Sequence, residues 1–168
     1  MITRRWPLAD VAATERFGAA LARALAAEPL SEQAFVIHLS GDLGAGKTTL
    51  ARAILRGTGV TGPVKSPTFT LLEPYNSPSS PIYHFDLYRF SSPDQWFDAG
   101  FEDIISGPGL VLVEWPENAA GALPPPDLRA RLEPLGEDDG RCIELAAGTA
   151  AGARCLSALR YPAGDDAC

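Results

Sequence analysis

The sequence has few lysines, few histidines and little sulfur. Lys47 and Lys65 are its only lysines, and the remaining basic residues are arginines scattered along the chain. A protein that grips nucleic acid by itself usually concentrates positive charge. Here Lys+Arg is 14 against Asp+Glu 21, a net charge of -7, so direct RNA or DNA binding is disfavoured unless a partner supplies the positive surface. Cys142, Cys155 and Cys168 form no CxxC pair, and His38 and His84 are the only histidines. No zinc spacing can be assembled from them, and reduced thiols in a cytosolic protein are expected. No apolar run approaches the ~18 residues of a membrane span. The start, MITRRWPLADVAATERF, has two arginines but no unbroken apolar stretch after them, so no signal peptide is expected. The reading is a soluble, cytoplasmic protein.

What is present suffices for one domain. The chain has 168 residues, 46% of them hydrophobic and 21% charged. That length and balance support a packed core and exclude disorder for the bulk of the chain. One domain is expected over residues 1–160, with a polar tail over 161–168.

Hydrophobic periodicity sets the expected elements. Residues 2–6 suit an edge strand. Asp10 suits the N-cap of an amphipathic helix reaching about Ala27. FVIHLS at 35–40 is a short apolar strand, and the stretch from Leu50 to Gly57 is helical. TFTLLEPY at 68–75 and IYHFDLYRF at 82–90 read as a hairpin around a Ser/Pro turn. Residues 93–105 suggest a helix broken at Gly100. LVLVEW at 110–115 is continuous enough to be a strand buried on both faces. LRARLEP and RCIELAA suggest a second hairpin, and AGARCLSAL a last helix. The expected fold is α/β: a three-layer domain like the P-loop NTPases, with a mostly parallel sheet extended by antiparallel hairpins.

Between the strand at 35–40 and the helix lies Gly41-Asp42-Leu43-Gly44-Ala45-Gly46-Lys47-Thr48, which satisfies GxxxxGK[ST] in full. Glycines let successive backbone N–H groups converge on phosphate oxygens, and the next helix points its positive end at the same place. Gly41, Asp42, Leu43, Gly44, Ala45, Gly46, Lys47, Thr48 and Thr49 are therefore the expected phosphate cradle. Lys47 would reach the β- and γ-phosphates, and the Thr48 hydroxyl would serve Mg²⁺. The plain alternative is a strand-to-helix turn with a chance lysine. Such a match in the right strand–helix frame arises by chance in about one chain in a hundred or fewer.

An acid is needed near the metal. Glu114 ends the strand LVLVE, and Asp86 ends the strand in HFDLYR. Either could hold Mg²⁺ directly or through water, and either could orient the attacking water. Both strands could flank the P-loop strand. Ser66 and Thr68 lie in the loop where a γ-phosphate sensor belongs, although a stiff loop ending would look the same. His84 reads as a structural core residue. Trp115 is either packing or site, and Arg89 either an anion contact or a solvated strand end.

GDLGAGKTT, VKSPTFTLLEPY, YHFDLYR and LVEWPE occur in this order. Together they closely resemble the TsaE family, the small bacterial P-loop ATPases of tRNA threonylcarbamoyladenosine synthesis. The resemblance runs from about residue 7 to about residue 146 and includes Leu123-Pro124 and Arg141 to Leu145. It implies ATP and Mg²⁺ as cofactors and weak hydrolysis by the protein alone. It implies TsaD and TsaB as partners, which modify the adenosine beside the anticodon of ANN-decoding tRNAs and are reset by ATP hydrolysis. tRNA would be held mainly by those partners. By the same resemblance Thr48 and Glu114 coordinate Mg²⁺, Asp86 is required for hydrolysis, the Ser66–Thr68 loop acts as a switch, and Trp115 matches the tryptophan after the metal-binding glutamate. One departure is Val11, where family members often carry a glutamate. From the residues alone, a small-metabolite kinase and a non-catalytic nucleotide-dependent binding module remain as alternatives. The kinase is weakened by the lack of an arginine-rich lid after LVEW; Arg129 and Arg131 fall in an expected strand.

Overall fold

The computed structural model describes residues 2–162 and 168. Strand β1 (Thr3–Leu8) leads into helix α1 (Val11–Leu25), followed by β2 (Ala34–Ser40) and α2 (Lys47–Gly57). Strands β3 (Leu72–Asn76) and β4 (Pro81–Asp86) form a hairpin, and the short helices α3 (Asp94–Asp98) and α4 (Phe101–Ile105) lead to β5 (Gly109–Glu114). After a 3₁₀ turn (Pro116–Ala119) come β6 (Leu128–Pro134), β7 (Arg141–Ala147) and α5 (Ala150–Ala158).

All seven strands join one sheet in the order β1-β7-β6-β2-β5-β4-β3. The four middle strands β6, β2, β5 and β4 are parallel, and the antiparallel pairs lie at the two flanks. Parallel strands need both faces covered. On one face α1, α2 and α5 pack Phe17, Leu21, Leu50, Ile54 and Leu156 over the sheet. On the other, α3, α4 and the 3₁₀ turn bring Trp96, Phe101 and Ala119 against Phe85 and Val113. The sheet is thus mixed, with helices on both sides. Every residue of β5 is buried, as its unbroken apolar run requires.

Local signals hold at the first helix. Asp10 is the N-cap of α1, its carboxylate accepting from the amide of Ala13 at 2.8 Å. Gly18 lets α1 approach α2, because a Cβ there would collide with Ala53.

Four expectations need correction. TFTL is not strand: residues 67–70 form turns, Leu71 adopts φ 67°, and β3 begins only at Leu72. β4 stops at Asp86, where the next amide, that of Leu87, turns to the carbonyl of Glu114. β4 does not flank the P-loop strand; β5 lies between them. Cys142 and Cys168 are disulfide-bonded and only Cys155 is a free thiol, against the expectation of three reduced thiols. Spacing could not reveal that pair, because the fold brings the chain end back to β7. Of the expected tail, Ala163 to Ala167 lie outside the described residues, while Tyr161 packs edge-on against Phe17 at 5.1 Å.

His38 of β2 sits in register with Arg129 of β6, and its buried Nε2 has no partner among the described residues. Burial first, and then the Arg129 guanidinium, push its pKa from 6.5 down to about 4. Below pH 6.5 the unfolded chain takes up this proton first. Stability from the neutral ring is therefore complete above 6.5 and lost as the pH falls towards about 4. His38→Gln should remove that slope. In urea melts the wild type should lose about 2–3 kcal/mol more than the variant between about pH 7 and about pH 4.5. Identical pH slopes would contradict the burial argument.

Candidate functional site

The glycine-rich loop joins β2 to α2 at the C-terminal edge of the parallel strands, where an α/β sheet opens a crevice. Gly46 takes φ 103° and passes the chain into α2 at Lys47, a conformation that a side chain would strain. At Gly41 a Cβ would collide with the carbonyl of Leu132, so β6 fixes how closely the loop can lie against the sheet.

A cavity of about 310 Å³ opens above the loop. Leu43, Gly44, Gly46, Lys47, Thr48, Thr49, Thr68, Asp86, Tyr88, Glu114 and Trp115 line it. The expected site residues from α2, β4 and β5 therefore converge. Four do not face the cavity directly. Gly41 and Asp42 turn their carbonyls to Lys47, whose Nζ donates to them at 2.5 and 2.8 Å. Ala45 is buried, and Ser66 shares a hydrogen bond with Thr68 at 2.8 Å. Arg89 stacks over Phe69 at 4.4 Å and does not line the cavity.

Glu114 organises the centre. It is 2% exposed, and a buried carboxylate without partners costs several kcal/mol. Both of its oxygens are engaged: the Thr48 hydroxyl donates to Oε1 at 2.8 Å, and His84 Nε2 meets Oε2 at 2.6 Å. His84 is fully buried on β4. It is therefore a structural core residue, as the sequence suggests, and also the group that orients the site carboxylate.

Asp86 lies in register with Glu114, so the two carboxylates occupy one row of the sheet. Burial, aided by the charge of Glu114, raises the Asp86 pKa; the amide of Tyr88, with His84 and Lys47, works against this. That amide donates to Asp86 Oδ1 at 3.0 Å. Lys47 is 4% exposed, and its Nζ also lies 4.3 Å from the centre of the Trp115 ring. Burial lowers its pKa, opposed by Glu114, Glu117, Asp86 and Asp42. Trp115 reaches this position through φ 58°, a left-handed conformation that costs a non-glycine residue about 1–3 kcal/mol. Tyr88 supports its ring at 5.1 Å.

This donor set suits a hard divalent cation held by few protein ligands. Among the described residues no group of three His, Cys, Asp or Glu side chains could cage a metal. One hydroxyl and one carboxylate beside a phosphate cradle is the pattern by which Mg²⁺ is bound, with phosphates and water completing its shell.

Two contributors are missing from the sequence reading of the site. Tyr88 belongs to it, and its place two residues after Asp86 in the same short segment was the available signal. Arg141, at the start of β7, donates through Nε to Ala45 O at 2.9 Å and through Nη2 to Gly44 O at 3.0 Å. It ties the carbonyls of Gly44 and Ala45 to β7 and so braces the loop from that side. No local pattern announces a contact across 96 residues. Arg141→Gln removes two charge-assisted bonds to the loop, each worth roughly 1.5 kcal/mol, and should speed amide hydrogen exchange in the 41–48 loop by at least about tenfold. Core strands should exchange as before. Unchanged exchange in the loop would remove Arg141 from its support.

Comparison with known proteins agrees with this geometry. The model of the family "Threonylcarbamoyl adenosine biosynthesis protein TsaE" matches residues 8–143. The tRNA threonylcarbamoyladenosine biosynthesis protein TsaE of Haemophilus influenzae is 45% identical over 129 residues, covering 77% of this chain and 80% of that protein. The protein of the same name from Bacillus subtilis is 39% identical over 113 residues, covering 67% and 70%. The crystal structure of Bacillus subtilis YdiB superposes with a TM-score of 0.77 at 30% identity, over 94% of each chain. No helix of the described residues is long and apolar enough to cross a membrane. With the loop, the two strand-end carboxylates and the tryptophan in one site, and the family match spanning them all, the chain belongs to the TsaE family of threonylcarbamoyl adenosine biosynthesis proteins.

Proposed function

We propose that the chain is a P-loop ATPase that binds Mg²⁺ and ATP in the cavity above residues 41–48. It would hydrolyse ATP slowly on its own and work with TsaD and TsaB in threonylcarbamoyl modification of the adenosine beside the anticodon. The observation that carries this reading is the hydrogen bond between the Thr48 hydroxyl and Glu114 at 2.8 Å, beside Lys47. It joins the end of the glycine-rich loop to an acid on the neighbouring strand.

Mg²⁺ would be held by Thr48 and Glu114 and would neutralise charge on the β- and γ-phosphates. The chain's own groups do the rest. Loop amides bind phosphate oxygens. Lys47 offers an ammonium that is already stripped of water and can exchange its bonds to Gly41 and Asp42 for phosphate oxygens. Asp86 has one oxygen tied to the Tyr88 amide and can orient water with the other. His84 keeps Glu114 aimed at Thr48.

The rim of the cavity favours partner-controlled turnover. Leu43 is 74% exposed and Phe69 80% exposed. Large apolar side chains held in water beside a reactive site suit a protein contact. Arg129 and Arg131 project from β6 in exposed positions and supply no lid over the cavity. Both points favour the ATPase over a kinase that closes an arginine lid on its substrate. TsaD–TsaB would then complete the site, with the Ser66–Thr68 loop feeling the contact.

Lys47→Ala should weaken ATP binding and abolish hydrolysis; wild-type turnover would show the site to be misassigned. Asp86→Asn should lower kcat by about 10²-fold or more while leaving KM within a few-fold, as expected for a group that orients water. An unchanged kcat would exclude it from the chemistry. Phosphate release should rise clearly on adding TsaD–TsaB. A flat response, with the complex demonstrated by sedimentation, would sink the partner-controlled reading.

A further inference from the structure

The arginines that look scattered in sequence are gathered by the fold. Arg16 and Arg23 lie two turns apart on the exposed side of α1 and, with Arg160, line a groove of about 530 Å³ floored by Ala13 and Ala19. Arg52 and Arg56 lie one turn apart on α2 and line a second groove of about 750 Å³ on the other side of Ala19. None of the five is paired with a carboxylate among the described residues. Among the described residues Glu15 is the one acid lining either groove. The nearby acids Asp10 and Glu28 are engaged, Asp10 in capping α1 and Glu28 with Arg154 at 3.1 Å.

In a chain of net charge -7, a face with five arginines and one carboxylate among the described residues departs sharply from the average. We propose that this face of α1 and α2 is a docking surface for the phosphate backbone of RNA. Arg52 and Arg56 stand about 6 Å apart along their helix axis, comparable to neighbouring phosphates on one strand, and two grooves that meet at Ala19 offer more length than a single anion needs. Arginine suits the task because its planar fork meets phosphate in two parallel bonds. The relatives of this chain are tRNA threonylcarbamoyladenosine biosynthesis proteins, which makes RNA the polyanion at hand. Small residues on the floor, Ala13, Ala19 and Ala53, present no base-reading side chain, so contact would be with backbone and independent of sequence. Thr49 lines both the α2 groove and the cavity over the glycine-rich loop. RNA on this face would therefore lie along the same helix that carries Lys47 and Thr48, whatever the rate of ATP hydrolysis.

The test is fluorescence anisotropy of a labelled tRNA anticodon stem–loop titrated with the full chain at several salt concentrations. Binding should weaken with salt, with a log–log slope of about -3.5 to -4.5 for five phosphate contacts. Arg16→Gln with Arg23→Gln should cut affinity by about tenfold or more and flatten the slope by about 1.5. These exposed residues lie away from the cavity, so basal ATPase activity should be unchanged. The control pair Arg129→Gln with Arg131→Gln removes the same charge from the sheet's other face and should leave RNA binding within about twofold. Equal loss in both pairs would mean net charge alone and overturn the proposal. So would absence of RNA binding while a poly-glutamate peptide binds and depends on Arg16 and Arg23, which would make the face a dock for an acidic protein.

Discussion

A buried carboxylate must be satisfied from every side, and Glu114 is the one on which this site depends. Its position at the end of β5 follows from the strand's apolar run, which is drawn wholly into the sheet. Once there, its oxygens need donors, and the fold supplies one from each side. The Thr48 hydroxyl comes from the first turn of α2, and the His84 ring comes from β4. Three elements distant in sequence are thereby locked at one point. The register of β4 on β5 places Asp86 beside Glu114, and the turn after β5 folds Trp115 over Lys47.

Lys47 is held on several sides at once. Its ammonium rests on carbonyls of its own loop and on the indole face. Burial still lowers its pKa, so under the proposed function a phosphate would compete with the Gly41 and Asp42 carbonyls for a charge that water screens little. Arg141 holds neighbouring carbonyls of the same loop from outside. The glycine-rich loop is thus braced from β7 and anchored through Thr48 to β5.

Much of this was legible in the sequence because it is local. The glycine-rich loop, β2 before it and α2 after it are written in consecutive residues, and so are the Asp10 cap and the buried β5. What was not legible depends on distance or on competition between local choices. TFTL has strand-forming residues, yet the chain turns through Leu71 with its amide bonded to Pro67 O, and β3 starts later. The order of strands, which puts β5 between β2 and β4, has no sequence signature. His84 reads as a core residue and is one, but only the pairing of β4 with β5 shows which carboxylate it holds. Arg141, the Cys142–Cys168 bond and the arginine face on α1 and α2 all arise from residues brought together by the sheet and helices. The first two carry no pattern in their separations; Arg16/Arg23 and Arg52/Arg56 do fall at helical spacing, but only the packing of α1 beside α2 brings the pairs together.

The proposed function requires the Thr48 hydroxyl and the Glu114 carboxylate to act as one unit in holding Mg²⁺ with ATP. A double-mutant cycle measured by calorimetric titration of ATP, with and without Mg²⁺, tests it most directly. Wild type, Thr48→Ala, Glu114→Gln and the double variant should show a coupling of about 1–3 kcal/mol when Mg²⁺ is present. Without Mg²⁺ the coupling should fall towards zero, because the two residues then share no ligand. Additive losses in the presence of Mg²⁺ would contradict the account and separate the two residues into independent roles.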